Sequence, residues 1–300
     1  MKINNYNLPI IQKKIIRTQN HLSETKEDFV VVEEPLEIRV NYINTSQRNF
    51  DQQVAVTMRT PGNDYELVAG FLLAEGFINK PEQLLNISYC KNETNVVRAK
   101  ITNTNQQGSL RGINPSGQNL LSTSSCGVCG KSSIEAAIAT IPKKLNISRD
   151  SLKVDASILY DFPNKLNRNQ FNFSKTGGIH AAATFNTSGT LLQVREDVGR
   201  HNALDKLIGQ GVLEATLPFN SVIVLFSGRT SFELVQKSAI AGIPIIASIG
   251  APSTLAIDLS KQLGITLIGF LKNSGFNIYS GEKRINNIRD RQILQYNDND

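Results

Sequence analysis

Three short apolar segments in the C-terminal third constrain the fold of this chain more than any other feature. Residues 222–226, 243–247 and 265–270 are almost entirely apolar, as expected for strands that are buried on both faces. The segments between them, about residues 232–241 and 254–263, have the length and pattern of helices. Strands that alternate with helices predict a parallel sheet with helical crossovers. The C-terminal part is therefore predicted to be α/β, within a chain that is α+β overall.

The loops that leave this predicted sheet are its best candidate for a ligand site. Ligands bind to parallel sheets at the carboxyl ends of the strands, and the loops there are residues 227–231, 248–253 and 271–275. Two of these loops lead directly into predicted helix N-termini, whose free N–H groups favour phosphate. Arg229 and Lys272 add positive charge. We predict a phosphate-bearing ligand at this edge, with Ser227, Gly228 and Arg229 as candidate binding residues of the first loop.

The N-terminal half predicts a mixed α+β unit with few candidate catalytic groups. A helical apolar face runs from Leu67 to Leu72 and ends near Gly76, and Asn63 with Glu66 resembles a capping box at its start. Predicted strands lie at residues 29–32, 36–40, 54–58, 86–89 and 96–101. The predicted organisation is a loosely ordered tail (residues 1–24), an N-terminal α+β domain (25–141), a C-terminal domain (142–285) and a polar tail (286–300).

Two closely spaced cysteines, Cys126 and Cys129, are the strongest chemical signal in the chain. They lie in a polar segment flanked by glycines, where a thiol is accessible. Lys131 and a helix predicted to begin near Ser132 would both favour the thiolate. The third cysteine, Cys90, follows a predicted strand and is expected to be a buried structural residue. The pair is therefore predicted to be a reactive site.

Several kinds of site compete for the cysteine pair. A structural zinc site needs two more ligands, and none stand nearby in the sequence. Zinc deaminase chemistry is excluded, because it needs H-x-E and His21, His180 and His201 are followed at the second position by Ser, Ala and Ala. A phosphate loop would need a glycine at Ser125. A dithiol oxidoreductase stays open, although its cysteines are expected beside a β-α-β unit. No metal ligand is assigned.

A charged segment follows a predicted hairpin in the C-terminal half. The hairpin joins residues 179–185 to residues 191–194 through an Asn-Thr-Ser-Gly turn. His180 on its first strand is expected to be a hydrogen-bonded core residue. The charged residues that follow are either a solvated strand end with a helix cap or a site that positions an anionic ligand or tunes a thiol. They are Arg195, Glu196, Asp197, Arg200 and His201.

Composition limits the environment and the partners of the chain. A net charge of +6 and a pI near 9.2 favour an anionic partner. A phosphate-bearing small molecule satisfies this charge better than nucleic acid, because the basic residues are dispersed and no aromatic RNA-binding signature accompanies them. No apolar run reaches the roughly 18 residues needed to cross a bilayer, and the N-terminus lacks a secretory signal. With only three cysteines, we expect a cytoplasmic protein without a disulfide framework.

Four stretches together resemble the FdhD family, the accessory sulfurtransferases of formate dehydrogenase. The resemblance extends from about residue 33 to residue 280, and its two long stretches are far more specific than a lone C-x-x-C. The four stretches are SCGVCG (residues 125–130), GIHAAA (178–183), REDVGRHNALDK (195–206) and SGRTSFELVQK (227–237).

The resemblance implies a sulfur carrier. It would accept sulfur from a cysteine desulfurase as a persulfide on Cys126, with Cys129 as its partner, and pass the sulfur to the molybdenum cofactor before insertion into formate dehydrogenase. It also implies a homodimer, a C-terminal cytidine deaminase-like domain, and binding of the bis-molybdopterin guanine dinucleotide form of the cofactor, for which GDP or GMP would substitute. The implied cofactor-binding segment is Phe270, Leu271, Lys272, Asn273, Ser274 and Gly275. A chaperone that holds the cofactor without transferring sulfur is the alternative.

Overall fold

The structure is a computed structural model that describes residues 8–43, 49–91, 93–102, 122–123 and 152–288. Cys126, Cys129, the short helix predicted behind them and the predicted domain boundary at residue 142 lie outside the described residues. The same holds for the polar tail from residue 289 onward. Those predictions therefore stay predictions.

The chain begins with a hairpin where the sequence predicted a loosely ordered tail. Strands β1 (Ile10–Gln19) and β2 (Leu22–Val31) pair antiparallel along their whole length. Asn20 and His21 form the turn, with φ values of 51° and 66°. Most side chains on both faces are exposed, so no apolar alternation marks the strands in the sequence. Two other interactions stabilise the hairpin instead: hydrogen bonds between the two backbones, and opposite charges that face each other across the strands, such as Lys13 opposite Asp28.

The N-terminal sheet confirms the predicted helix and four of the five predicted strands, while residues 29–31 of the remaining one lie in β2 of the hairpin. Its five strands pair in the order β5-β6-β3-β4-β7, and helix α1 packs on it. The elements are β3 (Glu34–Ile43), β4 (Asn49–Arg59), α1 (Asp64–Ala74), β5 (Leu84–Tyr89), β6 (Val96–Thr102) and β7 (Ser122–Thr123). The predicted capping box is wrong: Asn63 adopts a left-handed conformation and its side chain makes no cap hydrogen bond. Glu66 binds Arg195 instead, which is a tertiary contact that local sequence does not show.

The C-terminal half contains the predicted β-α-β-α-β unit, extended at both edges. Strands β11, β12 and β13 are parallel, as predicted, while β9 and β14 pair antiparallel to its outer strands and β10 pairs with β9. The elements are β8 (Val154–Asp155), α2 (Ala156–Leu159), α3 (Phe162–Asn169), α4 (Phe171–Thr176), β9 (His180–Phe185), β10 (Leu191–Asp197), α5 (Arg200–Leu213), β11 (Ile223–Phe226), α6 (Phe232–Ile240), β12 (Ile245–Ser248), α7 (Thr254–Leu263), β13 (Thr266–Lys272), β14 (Gly275–Ser280) and β15 (Ile285–Asn286).

The third predicted loop of this sheet is shorter than expected. Residues 271–275 were predicted as a loop, but β13 continues to Lys272 and β14 begins at Gly275. Lys272 pairs with Gly275, so only Asn273 and Ser274 form the turn. Strand β13 extends two residues beyond its apolar run because β14 supplies backbone hydrogen-bond partners there. The mixed α/β class is confirmed, and the cytidine deaminase-like arrangement stays a prediction.

Two glycines bring the N-terminal and C-terminal halves into close contact. Helices α1 and α5 cross where Gly70 faces Asp205 and Gly209 faces Glu66. A Cβ added at Gly70 would lie 1.9 Å from the carbonyl oxygen of Asp205, and one added at Gly209 would lie 1.7 Å from that of Glu66. Only glycine allows the two backbones to approach this closely. The buried side chains around the crossing form one continuous core with residues from both halves.

Among the described helices, none is both long and apolar enough to cross a membrane.

Candidate functional site

The carboxyl edge of the C-terminal sheet gathers elements from six parts of the chain. The loops after β11, β12 and β13 lie there, as the parallel arrangement requires. His180 begins β9 and pairs with Asp197 at the end of β10, and β9 runs antiparallel to β11. Both residues therefore lie at the same edge. The N-terminus of α5, which follows at Arg200, joins those of α6 and α7 at this edge.

Gly250 links the first two predicted ligand loops to Phe270, the residue that precedes the third. Its N–H donates to the carbonyl of Gly228 (3.2 Å), and its own carbonyl accepts from the N–H of Phe270 (3.1 Å). A Cβ added at Gly250 would lie 2.8 Å from the backbone nitrogen of Arg229, so the loops pack backbone against backbone. The sequence prediction that these loops share one edge is confirmed.

Serine side chains cap both helices that follow these loops. The Ser231 hydroxyl accepts from the N–H of Leu234 (3.5 Å), and that of Ser253 accepts from Ala256 (3.2 Å). Each cap satisfies one of the free N–H groups of the first helical turn. The positive end of each helix dipole still points to the edge, where the exposed Arg229 adds its charge.

Phe270 is the most unusual residue of the predicted cofactor segment. Its φ of 54° lies in the left-handed region, which costs roughly 1–3 kcal/mol for a residue other than glycine. The residue is 44% exposed, while the neighbouring Leu271 is fully buried. Lys272, Asn273 and Ser274 are exposed. The segment therefore offers an aromatic face and a cation to solvent, and Leu271 belongs to the core.

Asp197 is buried, so the prediction of a solvated strand end is wrong for it. Its carboxylate accepts from the Lys206 ammonium (2.7 Å), from the N–H of Thr60 (3.1 Å) and from the Asn202 side chain (3.0 Å). Lys206 is itself only 1% exposed. A buried charge is tolerated only when it is paired in this way. Neither Lys206 nor Asn202 is a candidate from sequence alone, although both stand in the long stretch that carries the family resemblance.

Arg195 and Glu196 hold the scaffold of the site together. The Arg195 guanidinium forms a bidentate pair with the Glu66 carboxylate (2.5 and 2.9 Å), which links β10 to helix α1. The Glu196 carboxylate accepts from the N–H groups of Asn172 and Phe173, both at 2.9 Å, at the start of α4. All of these bonds are to the protein itself, which indicates a structural role for both residues.

Two of the three histidines of the chain lie at the edge. His201 Nε2 lies 3.0 Å from Glu233 Oε2 and 3.1 Å from Ser231 Oγ. The hydrogen bond from His201 lowers the pKa of the Glu233 carboxyl. His180 is half-buried, and burial, followed by the charges of Arg200 and His201, lowers its pKa. The imidazole of His180 also lies against Gly228, where an added Cβ would be 3.2 Å from Nδ1. His180 is therefore a residue of the site and not of the core.

Of the three cysteines, the structure describes only Cys90. Cys90 is 7% exposed, which confirms its buried structural role. Cys126 and Cys129 lie outside the described residues. Strand β7 ends three residues before Cys126 and runs parallel to β4, with Thr123 opposite Val56. Within the described part of the chain, no cluster of three or more His, Cys, Asp or Glu is placed to hold a metal ion.

These features define an α/β protein with a cationic sheet edge suited to an anionic ligand. A family model described as the FdhD/NarQ family matches residues 31–286. The chain is 42% identical over 278 residues to the sulfur carrier protein FdhD of Streptomyces coelicolor, covering 91% of this chain and 95% of that one. It is 43% identical over 279 residues to the FdhD of Mycobacterium tuberculosis, covering 90% and 97%. The chain therefore belongs to the FdhD/NarQ family.

A solved structure supports the fold. The crystal structure from Desulfotalea psychrophila, described as that of a candidate formate dehydrogenase accessory protein, matches with a TM-score of 0.66. The match covers 92% of this chain and 99% of the other, at 24% sequence identity. At this identity the likeness concerns the fold alone.

Proposed function

We propose that this protein is a sulfur carrier that serves the maturation of formate dehydrogenase. Membership of the FdhD/NarQ family, through relatives about 40% identical over nine-tenths of the chain that are named sulfur carrier proteins, is the observation that carries the proposal. Cys126 receives sulfur as a persulfide from a cysteine desulfurase. The sulfur then passes to the molybdenum cofactor before that cofactor enters formate dehydrogenase. The protein acts as a sulfurtransferase of the cytoplasm and as a homodimer.

The cofactor is proposed to bind at the carboxyl edge of the C-terminal sheet. Its bis-molybdopterin guanine dinucleotide form carries phosphates, which the N-termini of α6 and α7 and the Arg229 side chain are suited to hold. The exposed Phe270 ring offers a stacking face for a guanine base, and Lys272 stands two residues further along. GDP or GMP would occupy the same place. Ser227, Gly228 and the segment from Asn273 to Gly275 complete the proposed binding residues.

The sulfur transfer balances with the two cysteines, a donor persulfide and a cellular dithiol as the reductant. In acceptance, the Cys126 thiolate attacks the terminal sulfur of the donor persulfide, a new S–S bond forms, and the donor leaves as a thiolate. In delivery, the Cys129 thiolate attacks Cys126 Sγ, forms a disulfide and releases the terminal sulfur as sulfide. The released sulfur is reduced while the two cysteine sulfurs are oxidised. A cellular dithiol must then restore the pair, and C-x-x-C spacing suits that cycle.

The geometry of β7 favours delivery to the proposed binding edge. Beyond the pairing of Thr123 with Val56, the next residue of β4 is Thr57, whose Oγ1 lies 3.2 Å from Asn202 Oδ1 on α5. Strand β7 is therefore directed towards the N-terminus of α5.

A mass spectrum tests the proposal. The full-length protein is incubated with a cysteine desulfurase and cysteine, and the Cys126 peptide is then analysed. We expect a gain of one sulfur atom that a reductant removes, and no gain in Cys126→Ala. An unmodified wild-type peptide would instead favour a chaperone that only holds the cofactor. A loss of two hydrogens without a gain of sulfur would favour a dithiol oxidoreductase.

A further inference from the structure

The N-terminal hairpin is closed by a strained two-residue turn. Gln19 pairs with Leu22, so Asn20 and His21 alone connect β1 to β2. Their φ values of 51° and 66° are both positive, as in a type I′ turn, for which Asn-Gly is strongly preferred. Asn20 suits its position, whereas His21 stands where glycine is preferred and carries a side chain that opposes the left-handed conformation. The turn is therefore the strained part of an otherwise regular hairpin.

Little besides the pairing of its two strands keeps the hairpin closed. In the part of the chain that the structure describes, β1 and β2 form a sheet of their own, so each strand has one neighbour. Most of their side chains are exposed, including Ile16 (73%) and Leu22 (77%) near the turn. Helix α4 contacts β2, where Lys175 Nζ lies 5.7 Å from the centroid of the Phe29 ring. A hairpin with few buried contacts is only marginally stable, so we expect its strands to separate at low cost.

The register of the hairpin can be reproduced between two copies of the chain. The residue numbers of every pair add to 41, from 10 and 31 at the base to 19 and 22 beside the turn. If the backbone ran straight through the turn, two antiparallel copies would pair in this same register about a two-fold axis. Asn20 of each copy would then lie opposite His21 of the other. Such a contact is isologous, which is the symmetry of most homodimers.

Charge favours this arrangement over a side-by-side contact of two closed hairpins. Strand β1 contains three basic residues and no acidic one, so pairing β1 with β1 of a second copy would bring like charges together. Pairing β1 with β2 places an acidic residue opposite each basic one. These pairs are Lys13 with Asp28, Lys14 with Glu27 and Arg17 with Glu24.

We propose that two copies of this chain exchange hairpin strands, so that β1 of each copy pairs with β2 of the other. The inference deepens the proposed function, because it names the contact of the homodimer proposed there. All pairs of the hairpin are kept in both copies, and the left-handed residues of both turns become extended. Short connections under strain favour exchange of this kind. The opposing cost is the association of two chains, so the exchange depends on protein concentration.

The exchange would bring the base of β1 into the other copy beside its charged scaffold residues. Pro9, directly before β1, lines a cavity of about 230 Å³ together with Arg195, Glu196 and Lys206. Its carbonyl accepts from the N–H of Val32 (2.9 Å), just beyond the last pair of the hairpin. In the exchanged dimer this wall of the cavity comes from the second copy. The family match begins at residue 31, the last residue of β2, and so does not itself assign this contact.

A disulfide across the strands distinguishes the two arrangements by mass. Thr18 Oγ1 and Ser23 Oγ lie 3.1 Å apart, so cysteines at both positions are close enough to bridge. The full-length variant Thr18→Cys/Ser23→Cys also carries Cys126→Ser and Cys129→Ser, and the remaining Cys90 is buried. The protein is oxidised and its mass is measured under denaturing conditions without reductant. We expect two chains joined to each other.

The other outcomes of this experiment overturn the inference. A single chain with an internal disulfide would show a closed hairpin, and free thiols at both positions would show that the strands do not pair. Thr18→Cys and Ser23→Cys alone are the matched controls. Each alone should stay a single chain, whereas co-expression of the two should give joined chains, because Thr18 of one copy faces Ser23 of the other. Joined chains in either single variant would contradict the register.

Two substitutions at the turn should shift the equilibrium in opposite directions. His21→Gly relieves the closed turn and should raise the dissociation constant of the dimer at least about tenfold. His21→Val favours extended backbone and should lower this constant. Sedimentation of the full-length protein at several concentrations measures both. Equal constants in the wild type and the two variants would overturn the inference.

A dimer that forms through another surface separates this inference from the proposed function. If the wild type sediments as a dimer but the double cysteine variant bridges within one chain, the strand exchange is wrong and the homodimer stands. If the wild type stays a monomer at every concentration, the exchange and the homodimer both fall. The gain of sulfur on Cys126 tests the carrier role independently of either result.

Discussion

The buried pair of Asp197 and Lys206 joins the two halves of the molecule at the level of single residues. Lys206 Nζ lies 2.7 Å from Asp197 Oδ2 and also donates to the carbonyl of Thr60 (2.9 Å), at the end of β4. Asp197 accepts from the N–H of the same threonine. The pair thus ties a strand of the N-terminal sheet to the edge that carries the proposed site.

Removal of one member of this pair should be costly. Lys206→Met leaves the Asp197 carboxylate buried without its cation, which costs about 3–5 kcal/mol of the free energy of unfolding. Arg98→Met is the matched control, because its pair with Asp51 is more than one-third exposed and is worth about 0–1 kcal/mol. Urea denaturation measures both. Equal losses in the two variants would contradict the account of the buried pair.

His180 should respond to pH in a defined direction. Burial, with the charges of Arg200 and His201, lowers the pKa of His180 below its ordinary value of 6.5. As the pH falls below 6.5, the unfolded chain binds a proton at His180 before the folded chain does, so the stability contributed by the neutral imidazole decreases. An NMR titration with His180→Gln for assignment checks the pKa. A His180 midpoint at or above 6.5 would contradict the placement.

At the scale of elements, the crossing of α1 and α5 is the most constrained contact of the fold. Gly209 and Gly70 each leave no room for a side chain, and the obstructing atoms are backbone atoms that do not yield. A glycine inside a helix costs up to about 1 kcal/mol relative to alanine. Glycine at two facing positions therefore indicates that close helix packing, and not helix propensity, determines the residue type there.

The Gly209→Ala variant tests the crossing through the sign of its effect. Propensity alone would make the protein more stable by up to about 1 kcal/mol, whereas overlap with the carbonyl of Glu66 predicts a loss of about 1–3 kcal/mol or more. Gly178→Ala is the control, since the nearest atoms to an added Cβ lie at 3.8 Å. Thermal unfolding of the variants reports the change. A Gly209→Ala protein as stable as the wild type would show that the helices separate without cost.

The elements that sequence predicted well are those whose burial is uniform. The strands β11 to β13 and the helices between them follow from continuous apolar runs, and the edge loops follow from their parallel order. The hairpin β1–β2 escaped prediction because both of its faces are largely exposed, which removes the apolar alternation. Glu66 was misinterpreted as a capping residue because its partner, Arg195, is 129 residues away along the chain.

The candidate site was predictable only in part, because some of its residues are defined by contacts between distant parts of the chain. The loops and the Phe270 segment are local in sequence, and the long stretch from residue 195 to residue 206 drew attention to Asp197 and His201. That stretch did not reveal which residues are buried. Only tertiary contacts distinguish the buried Asp197, which pairs with Lys206, from the partly exposed His201, which contacts Glu233, and they alone place His180 beside Gly228.

At the scale of the whole molecule, one core joins the N-terminal and the C-terminal sheet. The N-terminal sheet directs the chain towards its cysteine pair through β7, and the C-terminal sheet presents a cationic edge. The ion pairs Asp197–Lys206 and Arg195–Glu66, together with this core, fix the position of one sheet relative to the other.

The transfer of labelled sulfur tests this account most directly. The protein is loaded with ³⁵S from a desulfurase and labelled cysteine, freed of excess label, and supplied with the molybdenum cofactor in its guanine dinucleotide form. We predict that the label leaves the Cys126 peptide and is recovered on the cofactor, while Cys129→Ala retains it. Label that stays on the protein, or leaves it without reaching the cofactor, would contradict the account.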